Sequence, residues 1–206
     1  MMKALTAGVG DEKFEKSDGA GAMSYPIHTL KHEHRVIEQG LRALAGVCLR
    51  FSSGEPVPPE ALAQLLDFIR AFADRYHHGK EEAYLFPALE RQGIVREGGP
   101  LAMMESEHQV ERELVAELGR DFEAYQAGIP DAHWRFVETA GRFIDLLVGH
   151  IQREDQILFR IAEEVLDQTD QASLSAAFKQ AEAEIGAGVL ENYERIAAEL
   201  ERAWAA

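Results

Sequence analysis

A single cysteine, Cys48, stands among 206 residues. No disulfide can form within such a chain, and a reducing, cytoplasmic compartment is the expectation. Basic residues are also few: 21 Lys and Arg against 36 Asp and Glu give a formal charge of −15. That sign repels phosphate backbones and anionic headgroups, which argues against nucleic acid and membrane surfaces as partners. No apolar run approaches the ~18 residues of a membrane span, and the first 23 residues lack the apolar stretch of a signal peptide. The period-two alternation of a half-buried strand is missing. So are a Gly-x-Ser-x-Gly elbow, a phosphate-cradling glycine loop and a cysteine metal pair. Gly98-Gly99-Pro100 has no lysine or flanking strand and reads as a turn into a helix.

Prolines and glycines divide the chain instead. Residues 1–23 are glycine-rich and aperiodic, and read as a flexible arm. Pro26, Pro58 with Pro59, Pro100 and Pro130 then each precede a long segment of helical period, at about 25–51, 59–91, 100–127 and 130–167. Proline is tolerated in a first helical turn, where its missing N–H is not needed. Each segment carries an apolar stripe, such as Leu30, Ile37, Leu41, Leu44 and Val47 in the first, opposite a charged face. Short connections between long helices favour antiparallel neighbours, so the expected fold is all-α: an up-down-up-down four-helix bundle over 24–167. Residues 168–206 read as a C-terminal helical extension with a stripe from Leu174 to Leu200, bent or broken at Gly186 and Gly188. That stripe can bury against the bundle or in a homodimer.

Eight histidines are the informative feature. His77-His78-Gly79-Lys80-Glu81-Glu82-Ala83-Tyr84-Leu85-Phe86 resembles His150-Ile151-Gln152-Arg153-Glu154-Asp155-Gln156-Ile157-Leu158-Phe159. Both read His, three residues with a base last, Glu, an acid, two residues, Leu-Phe. Glu33-His34-Arg35-Val36 likewise matches Glu107-His108-Gln109-Val110 at nearly the same offset. Two helical hairpins therefore each carry one His on the first helix and His-x-x-x-Glu on the second. Residues four apart share a helix face, so His77 with Glu81, and His150 with Glu154, look inward alongside Leu85 and Leu158.

Imidazoles and carboxylates on an apolar face need a compensating partner, and a cation supplies one. Four His and two Glu exceed a tetrahedral zinc site. They suit two metals, each held by two imidazoles and bridged by both carboxylates, with positions left for an oxygen bridge and an exogenous ligand if the metal is iron. His78 pairs by the same spacing with Glu82 and is the alternative to His77. The repeat favours His77 because the mate of His78 is Ile151, and on that basis His78→Ala is expected to retain metal. His28, His32 and His133 have no mate. Glu38, whose mate is Arg112, is at most an outer residue, while Tyr76, Tyr84 and Tyr125 read as core. A ferritin-like site needs Glu-x-x-His on two helices, and only Glu105 to His108 fits.

The phrases HEHRVIE, HHGKEEAYLFPALE, MESEHQVE and HIQREDQILF together resemble the hemerythrin-like HHE cation-binding domain over roughly residues 25–167. The resemblance implies a four-helix bundle around a non-haem di-iron centre, two Fe ions with an oxo or hydroxo bridge, ligated by His34, His77, Glu81, His108, His150 and Glu154. The sequence departs from the oxygen-carrying hemerythrins of invertebrates: Arg112 stands four residues after His108, and Glu154 four after His150 precedes an Asp at the fifth place. Three functions follow as expectations. The first is a metal protein that binds O2, NO or peroxide for sensing, storage or delivery. The second is a di-iron oxidoreductase acting on the same ligands, with Tyr84 or Glu38 as proton donor. The third is a bundle that a metal merely stabilises.

Overall fold

The computed structural model describes residues 26–205, so the arm expected over 1–23 lies outside the described residues. All regular structure among them is helical. Helix α1 spans Pro26–Ser52. The second long run begins as α2 (Pro59–Phe68), widens into π-helical turns π1 (Ile69–His78) and π2 (Glu81–Leu85), and closes as α3 (Phe86–Arg91). Helix α4 spans Pro100–Gln126. The fourth run passes from α5 (Ala132–Arg153) through π3 (Glu154–Leu158) into α6 (Phe159–Val165). Two further helices follow, α7 (Gln168–Ile185) and α8 (Val189–Trp204).

The punctuation acts as its chemistry dictates. Pro26, Pro59 and Pro100 are first residues of their helices. The fourth run stops at Leu166, where the backbone turns extended, and Asp167 caps α7 by accepting from the N–H groups of Thr169 and Asp170. Gly186 and Gly188, at φ 146° and 73°, make the break between α7 and α8. No helix among the described residues is long and apolar enough to cross a membrane.

The four long runs touch in a closed ring. α1 packs on π1 and α2, these on α4, α4 on α5, and α5 back on α1. Two apolar clusters fill the interior. One is built from residues such as Leu44, Leu65, Phe72, Leu118, Phe136 and Phe143. The other gathers Leu30, Phe86, Leu89, Leu101, Leu158 and Phe159, joined by Leu174 and Phe178 of α7. Each such fully buried side chain contributes about 1.5–3 kcal/mol. Between the clusters, at the same level on all four runs, lies a buried polar layer that includes His34, His77, Glu81, His108, His150 and Glu154.

The stripe of α8 finds its partner inside the chain. Ala197 and Leu200 are buried against α1, and the Trp204 carbonyl sits where a Cβ on Gly46 would be. Arg42 donates to Glu201 at 2.5 Å and Arg50 lies over the Trp204 ring. A second subunit is not needed to cover this face.

Candidate metal centre

The repeat is structural as well as sequential. Both His-x-x-x-Glu phrases are followed by a single π turn starting at the glutamate: Phe86 N–H donates to Glu81 O and Phe159 N–H to Glu154 O, each across five residues. Such widened turns cluster at functional sites. Before Glu81 the second run carries a longer π stretch, in which Gly79 N–H donates to Asp74 O. The corresponding part of the fourth run is α-helical. Neighbours are about 100° apart in an α-helix and less in a wider turn, which lets His77 and His78 both face inward.

The structure brings the six expected residues together, all fully buried, and adds His78. Their donor atoms form two groups. One holds His34, His77, Glu81 and Glu154, the other His78, Glu81, His108 and His150, with each group's atoms within 4.8 Å of one another. The glutamates stand between the halves. Glu81 faces His77 Nε2 through Oε1 and His108 Nε2 through Oε2, both at 3.6 Å. Glu154 Oε2 faces His34 Nε2 at 3.1 Å and His150 Nε2 at 3.3 Å.

Behind four of the imidazoles stands a second layer. His77 Nδ1 donates to Glu33 at 2.9 Å and His150 Nδ1 to Glu107 at 2.9 Å. His34 Nδ1 donates to Asp155 at 2.8 Å and His108 Nδ1 to Glu82 at 2.7 Å. A cation then backs each carboxylate: Lys80 on Glu33, Arg153 on Glu107, Arg35 on Asp155 and Arg112 on Glu82. The sequence carried this layer without declaring it. Lys80 and Arg153 are the bases that end the three-residue spacers, Glu82 and Asp155 the acids after the glutamates, and Glu33 and Glu107 the residues before His34 and His108. Glu33 and Glu107 orient a histidine of their own hairpin, whereas Glu82 and Asp155 reach across to the other.

These partners settle the tautomers. An ionised carboxylate only accepts, so each Nδ1 carries the proton; against burial, the hydrogen bonds of His34 to Asp155 and Glu154, and the charge of Glu154 beside His150, push these two imidazoles up. At the centre His108 Nε2 faces His150 Nε2 at 3.2 Å. His77 Nε2, both oxygens of Glu81, Glu154 Oε1 and both nitrogens of His78 have no hydrogen-bond partner. Burial pushes His77 down to about 4, and burial with the charges of His108 and His150 pushes His78 well down, so both rings are neutral. Burial, then the neighbouring Glu154, pushes the Glu81 carboxyl up. Orphaned, converging N and O donors in a dry layer suit bound cations, and the imidazole–carboxylate mix is compatible with iron.

The remaining expectations separate clearly. His28 and His32 are exposed, His32 pairing with Glu194 of α8, and His133 lies beside Phe51. Glu38 accepts from Arg35, three contacts away from His34 by way of Asp155. Tyr125 donates to the Val57 carbonyl, Tyr76 to Glu182, and Tyr84 packs near Phe178. Glu38 is not a member of either donor group. Glu111 was not singled out from sequence, although it replaces an apolar residue: its mate in the repeat is Ile37. It is buried, with Oε2 3.6 Å from His78 Nε2.

The family model for the hemerythrin HHE cation binding domain matches residues 25–162. Uncharacterized proteins of Mycobacterium tuberculosis (strain H37Rv) and Mycobacterium bovis are each 25% identical over 153 residues, 74% of this chain and 59% of theirs. The match thus spans less than two thirds of those relatives. No solved structure matches the chain.

Proposed function

The chain belongs to the hemerythrin HHE cation-binding family, and from that membership we propose that it holds a non-haem di-iron centre that binds O2, NO or peroxide for sensing, storage or delivery. The unit doing so is an up-down-up-down four-helix bundle over residues 24–167, with 168–206 as its helical extension, in a reducing, cytoplasmic setting suited to the lone Cys48. The observation that carries the reading is the pair of donor groups sharing Glu81 across one buried layer. His34 and His77 would hold one iron and His78, His108 and His150 the other, with Glu81 and Glu154 as the carboxylate ligands.

Bound iron supplies open coordination and one-electron chemistry toward small oxygen- and nitrogen-containing ligands. The chain's own residues do the rest. Glu33, Asp155, Glu82 and Glu107 fix the rings and raise their basicity by accepting from Nδ1. Lys80, Arg35, Arg112 and Arg153 hold those carboxylates in place. The apolar clusters on either side keep bulk water from the layer. Metal analysis, with visible spectra before and after O2 or NO, is the test. Two irons per chain and a stable ligand-induced spectrum are expected, whereas one zinc or no metal would sink the proposal. An oxidoreductase is the second reading, favoured by the unpartnered Glu111 carboxylate beside His78. Sustained consumption of peroxide or NO would select it.

A further inference from the structure

A cavity of about 280 Å³ opens between π1, α4 and α5 and ends at His78 and Glu111. Its wall is apolar at Ile69, Val115, Phe143 and Leu147 but also carries Arg70, Asp74 and Arg112, and Ala116 is an exposed residue at its edge. At ~30 Å³ per water in the liquid, the space equals roughly nine waters, far more than a diatomic ligand fills. The apolar part of its wall cannot hydrogen-bond to water. Its inner end has the opposite character. Both carboxylate oxygens of Glu111, a residue only 3% exposed, are buried without a hydrogen-bond partner. Oε2 lies 3.6 Å from His78 Nε2 and Oε1 4.0 Å from His150 Nδ1.

The pair at this end breaks the internal repeat on both sides. The mate of His78 is Ile151 and the mate of Glu111 is Ile37. Half of the molecule thus has two aliphatic residues where the other half has an imidazole, a carboxylate and a cavity. The symmetric donor groups need neither Glu111 nor the space beside it. Arg112, on the same wall, is engaged with Asp74 and Glu82 at 2.8 Å each and holds the wall rather than offering a free charge.

We propose that this cavity is a binding site for a small neutral molecule with a short apolar body and a hydroxyl or hydroperoxyl head, the head donating to Glu111. The body fills the space between Phe143, Leu147, Val115 and Ile69, and the head lies beside His78. A buried Glu111 oxygen without a hydrogen-bond partner selects a head that can donate over a purely apolar one. The site goes beyond the di-iron reading and does not rest on it, because Glu111 and the apolar wall are present whether or not a cation is bound.

The test is equilibrium binding to the full chain by ligand-observed NMR, in metal-free and iron-loaded protein, with benzyl alcohol, toluene and benzoate as probes. Benzyl alcohol should bind about five-fold or more tighter than toluene, the worth of one buried hydrogen bond. Glu111→Leu should bring the alcohol-to-toluene ratio to about one. Ala116→Phe, at an exposed position, should weaken both probes by obstructing the mouth. Cumene hydroperoxide should compete with benzyl alcohol in the metal-free protein. Toluene binding as tightly as the alcohol, benzoate binding tightest, or an unchanged ratio in Glu111→Leu would each overturn the proposal. Selective alcohol binding in a protein that takes up no iron would uphold it while removing the di-iron reading.

Discussion

His77 and His78 show how little a residue's neighbours in sequence say about its use. The repeat singles out His77, yet the structure turns both rings into the layer, one in each donor group. Under the two-cation arrangement, His77→Ala and His78→Ala should each lower bound iron from about two to about one per chain, measured by metal analysis of the purified variants. Full retention in His78→Ala would restore the assignment expected from the repeat. Glu107 acts one step further out. Glu107→Gln leaves the fold but gives His150 Nδ1 a weaker acceptor, and cation affinity should fall roughly 10–100-fold in a competition titration against a chelator.

Cys48 lies on α1 outside this chemistry. Burial pushes its thiol up from 9.0 to about 11. The thiolate is the nucleophile, so at pH 8 the folded chain should react with iodoacetamide about 100-fold more slowly than the unfolded chain. The rate in the folded protein should keep rising until the pH passes about 11. Equal rates for folded and urea-unfolded protein would show that the thiol is not held in this way.

At the scale of elements, α7 covers one of the four histidine–carboxylate–cation chains. Lys80 is 2% exposed, with Nζ 3.7 Å from the Tyr76 ring and 5.3 Å from the Phe178 ring, and 3.7 Å from a Glu182 oxygen. Arg35, Arg112 and Arg153, behind the other three, are a third to a half exposed. The apolar cover should outweigh the ion pair. Phe178→Ala empties a buried site and is expected to cost about 3–5 kcal/mol. Glu182→Gln, at a partly exposed partner, should cost under ~1 kcal/mol. Urea titrations of the two variants give the comparison, and a larger loss in Glu182→Gln would reverse this ranking.

The contact of α8 with α1 depends on Gly46. Alanine is better than glycine inside a helix by ~1 kcal/mol, but its Cβ would occupy the place of the Trp204 carbonyl. Steric exclusion should win. Gly46→Ala should therefore speed tryptic cleavage after Arg195 and Arg202, and unchanged proteolysis would show that α8 can shift without loss.

For the whole molecule, the polar layer sets the balance between metal-free and metal-loaded chains. Seven His and Glu side chains share one dry level between two apolar clusters. Without a cation, buried nitrogens of His77 and His78 and oxygens of Glu81 and Glu154 stay unsatisfied, which is costly. Iron at 1,000 times its dissociation constant should add about 4 kcal/mol of stability. At ~2–4 °C per kcal/mol for a chain of this size, the melting midpoint should rise by roughly 8–16 °C. Calorimetry with and without a chelator checks this, and coincident midpoints would mean that no cation is held by the layer.

The sequence alone determined the helical class, because apolar spacing and proline position act locally. It also exposed the doubled His and Glu pattern, because a duplicated site leaves a duplicated string. Even the orienting layer was written there, in Glu33, Lys80, Glu82 and their mates, although residues whose partners lie 26 to 121 positions away cannot be paired from spacing alone. Tertiary structure decided the rest. The π turns re-aim His78, a rotation that α-helical spacing does not encode. Packing placed Glu111 at the end of a cavity made by three separate segments, and laid α7 over Lys80 and α8 over α1. Such facts depend on which distant surfaces meet, and only the folded chain brings those surfaces together.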